Sequence, residues 1–346
     1  ESGIFINTFA YDTKKDGSTT ASLLSTPEML SMDLFIGPLY PEPSLEVSNF
    51  SINNKINMVN PISSNQRVIG DNPFSFLYHP SDATQAAKVA AYTKATQNNK
   101  NTMIFYGGSE RDSIKAYTYK QHIEQDSFNV VLMKKVEKDT SRLVLQLLTS
   151  TLADLGEYID EDTVDIDTLT GKPILAKDKY FISLDSIGTI YVASDNKLLA
   201  SSVVSAVEIR PDTIQVIGST QWLNYRFIDY EAYERLGIVL TASNHINSNS
   251  LTYKNINHYC IARYGRPAST NFYKAYDMMM FLGNSLQNHG NLFQNELYDI
   301  SMSHSPLTGG ISFFQANDNQ HVSLVRFEEN EIVTIELPEQ DEQTDQ

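Results

Sequence analysis

The chain has 346 residues, 41% of them hydrophobic and 20% charged, a globular composition with room for two α/β lobes of ordinary size. Its formal net charge of -16, from 26 Lys and Arg against 42 Asp and Glu, argues against a nucleic-acid partner, which needs clustered basic side chains. No apolar run approaches the ~20 residues of a membrane-spanning helix, and Cys260, the only cysteine, excludes an internal disulfide and a cysteine-built metal site. The opening Glu1-Ser2-Gly3 has no initiator Met and reads as a mature or truncated form, so the lack of a targeting segment carries no information on location.

Strand-like and helix-like segments alternate along the chain. Residues 4–9 are β-branched and aromatic and predict a strand, 19–31 a short helix, and 33–36 a compact strand broken by Gly37-Pro38. A helix over 42–54 and a buried strand over 56–59 follow, closed by Asn60-Pro61. Asp82 is placed to cap an alanine-rich helix over 83–97. The rhythm then repeats, with a strand over 102–106 ended by Gly107-Gly108, a helix over 110–125 and a strand over 130–134. A helix near 140–156 carries Leu143, Leu147 and Leu148 at helical spacing. Strands over 189–193 and 213–217 flank a helix over 195–207, and 237–242 is a further strand. Helices over 250–264 and 270–288 precede a strand-rich stretch, 311–336, with a hairpin around Glu328-Glu329-Asn330. Repeated strand–helix units predict parallel sheets, because parallel neighbours need crossover connections.

The order of these motifs resembles the type I periplasmic binding proteins, the branched-chain amino-acid receptors of ABC importers. The resemblance is carried by Ile36-Gly37-Pro38, by 56–64 (INMVNPISS), and by Asn72-Pro73-Phe74-Ser75-Phe76 with Pro80-Ser81-Asp82. Thr102 to Gly108, Ile190-Tyr191-Val192-Ala193-Ser194 and Val216-Ile217-Gly218-Ser219 resemble strands of the second lobe. Arg263-Tyr264-Gly265-Arg266-Pro267 with Ala275-Tyr276-Asp277, and then 307–313 (LTGGISF), complete the series. Within the superfamily, Tyr11-Asp12-Thr13 and Gly37-Pro38-Leu39-Tyr40 are similar to a divergent Bacteroidetes-like branch attached to lipoproteins and LysM modules. The strand and helix that open the family's fold have no counterpart before residue 4.

The resemblance implies two Rossmann-like lobes, each a parallel sheet flanked by helices, closing about a hinge on a ligand. It divides the chain into lobe one (1–101 plus 246–320) and lobe two (102–245 plus 321–338), with an insertion near 157–188 and a disordered tail over 339–346. Ligands of such folds sit at the carboxyl ends of strands, where helix N-termini offer free N–H groups. The loops at those ends hold Tyr40, Ser63, Ser64 and Asn65 in lobe one, and Ser109, Arg111, Ser194, Asp195, Thr220, Trp222 and Asn244 in lobe two. Ser63 and Ser64 match the family position that holds a ligand carboxylate; the alternative is a serine-rich turn capping the next helix. Trp222 is either an aromatic wall of the cleft or packing at a helix start. Asp195 is either a cleft residue or the cap of the following helix, and Arg111 either meets an anionic ligand or is a solvated helix residue. The 218–222 loop shows no acidic residue for an amino-acid ammonium group.

Nothing in the chain reads as an enzyme: there is no GxGxxG, Walker loop, nucleophile elbow or HExxH. The seven histidines are scattered, Cys260 lies in an apolar helical pattern with Ile256 and Ile261, and the carboxylates of 160–167 read as a solvated acidic loop. Tyr225, Tyr230 and Tyr233 form a contact surface or a cover for the sheet. The expected function is non-catalytic, extracytoplasmic or periplasmic binding of a small polar ligand (an amino acid, peptide or cell-wall fragment), with no cofactor. An ABC permease or a cell-envelope protein is the expected larger partner, with lipid anchorage through an N-terminal region. The alternative is a protein–protein regulator of envelope machinery on the same fold.

Overall fold

The computed structural model describes residues 5–137, 140–152, 154, 163–166, 173–175, 179–225, 228–243 and 245–335. The chain divides into two compact units: residues up to Thr84 with Ser243–Ser323, and Gln85–Ala242 with the chain from Leu324.

In chain order the elements begin with α1 (Gly17–Leu24), β1 (Leu34–Ile36), α2 (Pro41–Asn54), β2 (Asn57–Asn60), β3 (Ser75–Leu77) and α3 (Asp82–Thr96). Next come β4 (Asn101–Tyr106), α4 (Glu110–Ile123), β5 (Asn129–Lys135), α5 (Arg142–Thr149), β6 (Thr163–Ile166) and β7 (Pro173–Leu175). They continue with β8 (Thr189–Ala193), α6 (Lys197–Ile209), β9 (Gln215–Ser219), α7 (Tyr230–Arg235) and β10 (Val239–Thr241). The chain ends with α8 (Leu251–Tyr264), α9 (Thr270–His289), α10 (Gln294–Leu297), β11 (Ser303–Ser305), β12 (Gly309–Ile311), β13 (Leu324–Glu328) and β14 (Glu331–Ile335).

In the first unit β1, β2 and β3 form a parallel sheet in that order. Val59, Phe76 and Tyr78 pack under Met278 and Leu282 of α9, with Phe293, Ile311 and Phe313. Ile256 and Cys260 of α8 are buried together against Tyr273 and Leu307, so the thiol is a core group. The strand predicted over 4–9 is absent from the described residues of that stretch, where Phe5 is 99% and Phe9 55% exposed. Strand propensity becomes a strand only beside a neighbour that packs and pairs with it, and among the described residues 5–9 has none.

Buried carboxylates hold this unit's loops. Asp277 accepts from Tyr78 Oη (3.1 Å), Ser305 Oγ (2.6 Å) and Thr308 Oγ1 (2.7 Å). Burial foremost, and then the Asp277 charge, pushes the Tyr78 hydroxyl far above its ordinary pKa, so it stays a donor. Asp318, 2% exposed, accepts from the Ser81 N–H (2.9 Å), Thr84 Oγ1 (2.6 Å) and Gln320 Nε2 (2.9 Å). Asp318→Ala removes the acceptor and strands these donors, and is expected to cost about 3 kcal/mol, read as a lower urea midpoint with an unchanged slope. At the start of α3 the Asp82 carboxylate accepts from Ser64 Oγ, and Ser81 Oγ takes the Thr84 N–H.

The second unit is built on one sheet in the order β14-β13-β10-β9-β8-β4-β5, parallel from β10 through β5 and antiparallel at β13 and β14. Alternation along β4 divides its side chains between the two faces. Met103 and Phe105 join the core beneath α5 and α6, and Ile104 and Tyr106 the core beneath α3 and α4. The stripe of α5 that is buried is Val144 and Leu148, four residues apart, while Leu143 is 47% exposed. Tyr233 stacks on Phe327 at 5.4 Å and covers the sheet. Within the predicted insertion β6 and β7 form a separate antiparallel pair. The predicted tail over 339–346 lies outside the described residues.

Candidate functional site

The sheet order creates a switch point in the second unit. From β4 the chain runs through α4 to β5 on one side, whereas β8, the neighbour on the other side, leads through α6 to β9. The two connecting helices pack against opposite cores, α4 with one and α6 with the other. The loops leaving β4 and β8 therefore diverge, and a crevice opens at the strands' carboxyl ends, the standard ligand position in such sheets.

A hollow of about 820 Å³ occupies this crevice. One wall is the turn after β4 and the start of α4: Gly107, Gly108, Ser109, Arg111, Asp112 and Lys115. The other is the loop after β8 with the start of α6, Ser194 to Leu198, and Val136, Glu137 and Tyr225 complete the lining. Six charged side chains, three of each sign, face one space.

The frame of the hollow is locally determined. Ser109 Oγ caps α4 by accepting the Asp112 N–H (3.1 Å), a capping-box spacing that leaves the Asp112 carboxylate at the helix start. That carboxylate accepts from Ser194 Oγ at 2.8 Å, tying the β4 and β8 loops together. Gly107 is what permits the tie: a Cβ there would lie 2.3 Å from Asp112 Oδ2 and 2.9 Å from Ser194 Oγ. Asn196 Oδ1 caps α6, accepting from the Leu198 (2.9 Å) and Leu199 (3.3 Å) N–H groups, so the cap is Asn196 and not Asp195. The Tyr225 hydroxyl donates to the Asp195 carbonyl, and burial foremost, then the Asp195 charge, raises its pKa. Among the described residues no cluster of three or more His, Cys, Asp or Glu is arranged to hold a metal ion.

Of the residues singled out in the sequence, Ser109, Arg111, Ser194 and Asp195 are brought together here. Trp222 instead belongs to the core: it is 0% exposed, its ring lies over the bare Cα of Gly218, and Nε1 donates to the Ser194 carbonyl at 3.2 Å. It supports the hollow from behind rather than forming an aromatic wall. Thr220 opens the 3-10 turn that carries Trp222, capped by Ser219. Asn244 lies outside the described residues.

In the first unit, Ser63, Ser64 and Asn65 serve their own turn. Ser63 N–H donates to Asn60 Oδ1 (2.8 Å), Ser63 Oγ accepts from the Asn65 N–H (3.1 Å), Ser64 Oγ donates to Asp82, and Asn65 Oδ1 caps at the Arg67 N–H (3.0 Å). Tyr40, at the start of α2, is 41% exposed, with Lys15 Nζ 4.6 Å from its ring centre. Sequence reasoning missed Gly107, Asp112, Lys115, Glu137, Asn196 and Lys197. The signal for the first two was present in Gly-Gly after a strand, followed by Ser109 and Asp112 at capping-box spacing.

No protein-family model and no curated protein matches the chain. Solved structures do. An ABC transporter substrate-binding protein from Desulfitobacterium hafniense in complex with Leu superposes with a TM-score of 0.58 at 14% identity, over 94% of this chain and 87% of that one. A putative branched-chain amino-acid ABC transporter protein from Rhodospirillum rubrum gives 0.63 at 12% identity, over 94% and 86%. A solute-binding protein from Rhodopseudomonas palustris BisB5 in complex with 3,4-dihydroxybenzoic acid gives 0.55 at 13%, over 96% and 86%. The fold is a two-unit α/β architecture with parallel sheets. It is, more particularly, that of the type I periplasmic binding proteins, the substrate-binding components of ABC transporters.

Proposed function

We propose that the chain is a non-catalytic, extracytoplasmic solute-binding protein for a small polar ligand: an amino acid, a peptide or a cell-wall fragment. The observation that carries this reading is the hollow at the switch point of the second unit, of ligand size, with six charged side chains in its lining and framed by the starts of two helices. Structures of the same fold hold leucine, benzoate or 3,4-dihydroxybenzoic acid, which supports a small ligand here. Among the described residues no helix is long and apolar enough to cross a membrane. Association with an ABC permease, or with envelope proteins of the lipoprotein and LysM branch through a lipid anchor, extends the same reading from the motifs around Tyr11 and Tyr40.

Amino acids, dipeptides, aromatic acids and muropeptides screened by thermal shift provide the test. A ligand present at one hundred times its Kd stabilises by about 2.7 kcal/mol, a rise of several degrees in Tm. Gly107→Val, which pushes the Asp112 carboxylate off Ser194, is expected to abolish that rise. A flat response to the whole panel would sink the solute-binding reading.

A further inference from the structure

We propose that the outward face of α8 is a docking surface for an anionic phospholipid membrane, a role separate from the hollow, which none of its residues lines. Charge is spread unevenly along the chain. The protein carries a net charge of -16, yet no Asp or Glu occurs between Glu234 and Asp277. Asp277 itself is 5% exposed and accepts from Tyr78, Ser305 and Thr308 inside the first unit. The surface of α8 therefore holds cations and no carboxylate of its own to offset them. Lys254, Arg263 and Arg266 are exposed, and none of them forms an ion pair among the described residues.

The same face is apolar as well as cationic. Ile256 and Cys260 are the buried positions of α8 and pack with Tyr273 and Leu307. On the opposite side Leu251, Lys254, His258 and Ile261 recur at intervals of three and four residues, the spacing of one helical stripe. Leu251 is 72% and Ile261 47% exposed, and the exposed rings of Tyr259 and Tyr264, with centres 6.4 Å apart, lie at the end of the helix that carries Arg263. Single exposed apolar side chains are ordinary on a protein surface. A stripe that mixes them with cations and holds no carboxylate is the pattern of a helix lying in a bilayer interface, with cations at the phosphates and Tyr, Leu and Ile at the headgroup–acyl boundary. An acidic protein or a soluble polyanion would meet the cations but leave Leu251 and Ile261 in water, so the apolar members favour lipid. The acidic remainder of the protein does not prevent the contact: at physiological salt the Debye length is about 8 Å, and only charges close to the bilayer are felt.

Vesicle co-sedimentation of the full chain tests this, with mixed phosphatidylglycerol–phosphatidylcholine vesicles against phosphatidylcholine alone. The wild type is expected to bind the anionic vesicles only, and to be released as salt rises to about 1 M, where the Debye length is ~3 Å. Lys254→Gln, Arg263→Gln and Arg266→Gln together are expected to weaken binding about a hundredfold, from ~1 kcal/mol for each cation at an anionic surface. Leu251→Ser with Ile261→Ser leaves every charge in place and is expected to weaken it about tenfold. These side chains are exposed, so circular dichroism and Tm are expected to match the wild type in both variants. Equal binding to neutral vesicles, or no binding to either kind, overturns the proposal. So does a serine variant that binds as tightly as the wild type while the glutamine variant does not, the result expected of a surface that meets an acidic protein or polymer through charge alone.

Discussion

Replacing Arg210 by Ala is expected to lower the unfolding free energy of the second unit by about 3–5 kcal/mol, because it leaves a buried carboxylate without its countercharge. Arg210 follows α6, and its side chain is 0% exposed, with that of Asp212 at 2%. Nε and Nη2 grip Asp212 through both carboxylate oxygens, at 2.8 and 2.7 Å. Nη1 donates to the carbonyls of Leu148 (2.7 Å) and Ile182 (3.1 Å), so the end of α5, the 182–185 segment and the chain after α6 meet at one guanidinium. Asp212 also accepts the Asp185 N–H at 2.9 Å. Arg210→Lys does not restore this, since an ammonium group cannot span two carboxylate oxygens and two carbonyls in fixed directions.

The pair also sets a pH dependence. Burial pushes the Asp212 carboxyl up, but the Arg210 hydrogen bond, the Asp185 N–H and the guanidinium charge outweigh it and hold the pKa below the usual carboxylate range. A carboxylate with a depressed folded pKa contributes stability that is present above its unfolded value of about 4 and is lost as pH falls through the folded value. The gap between wild type and Arg210→Ala is therefore full at neutral pH and narrows below about pH 4. Urea unfolding followed by circular dichroism at neutral and acid pH measures both. A neutral-pH difference under about 1 kcal/mol would place this pair among the ordinary surface ion pairs.

Much of the fold was legible because its signals are local. Predicted strands at 33–36, 56–59, 102–106, 130–134 and 189–193 correspond to β1, β2, β4, β5 and β8, each a compact apolar run, the first three closed by Gly or Asn. The hairpin of β13 and β14 turns at Glu329-Asn330, both with positive φ, where the sequence placed it. What failed was non-local. Residues 5–9 have strand composition and no strand to pair with, and composition cannot report a partner. The cap of α6 moved by one residue, from Asp195 to Asn196, because both are competent caps and tertiary contacts chose between them. At the candidate site, the loops were found from strand ends, but the tie between Asp112 and Ser194 joins residues 82 apart in sequence, and no spacing rule reaches that far. Asp318 with Ser81, and Arg210 with the carbonyls of Leu148 and Ile182, were silent for the same reason.

Trp222 is the residue whose role changed most, and its substitutions separate two kinds of support. Trp222→Ala empties the largest fully buried side chain of the protein's described residues and is expected to cost about 3–5 kcal/mol, roughly a 10 °C fall in Tm. The space it leaves is defined by Gly218, where a Cβ would stand 2.4 to 2.7 Å from the indole ring carbons. Gly218→Ala therefore disrupts the wild type by overpacking and is far milder in the Trp222→Ala background, a coupling that a double-mutant cycle reads directly. Trp222→Phe keeps most of the apolar volume but removes the Nε1 donor, leaving the Ser194 carbonyl without it at a cost of about 1–3 kcal/mol. Ser194 carries the hydroxyl that ties to Asp112, and Asp195 follows it in the same loop. The Phe variant is thus expected to remain folded while losing ligand affinity, read as a smaller ligand-induced rise in Tm, although the indole is not itself part of the hollow's lining. Unchanged affinity in Trp222→Phe would show that the loop holds its position without the indole.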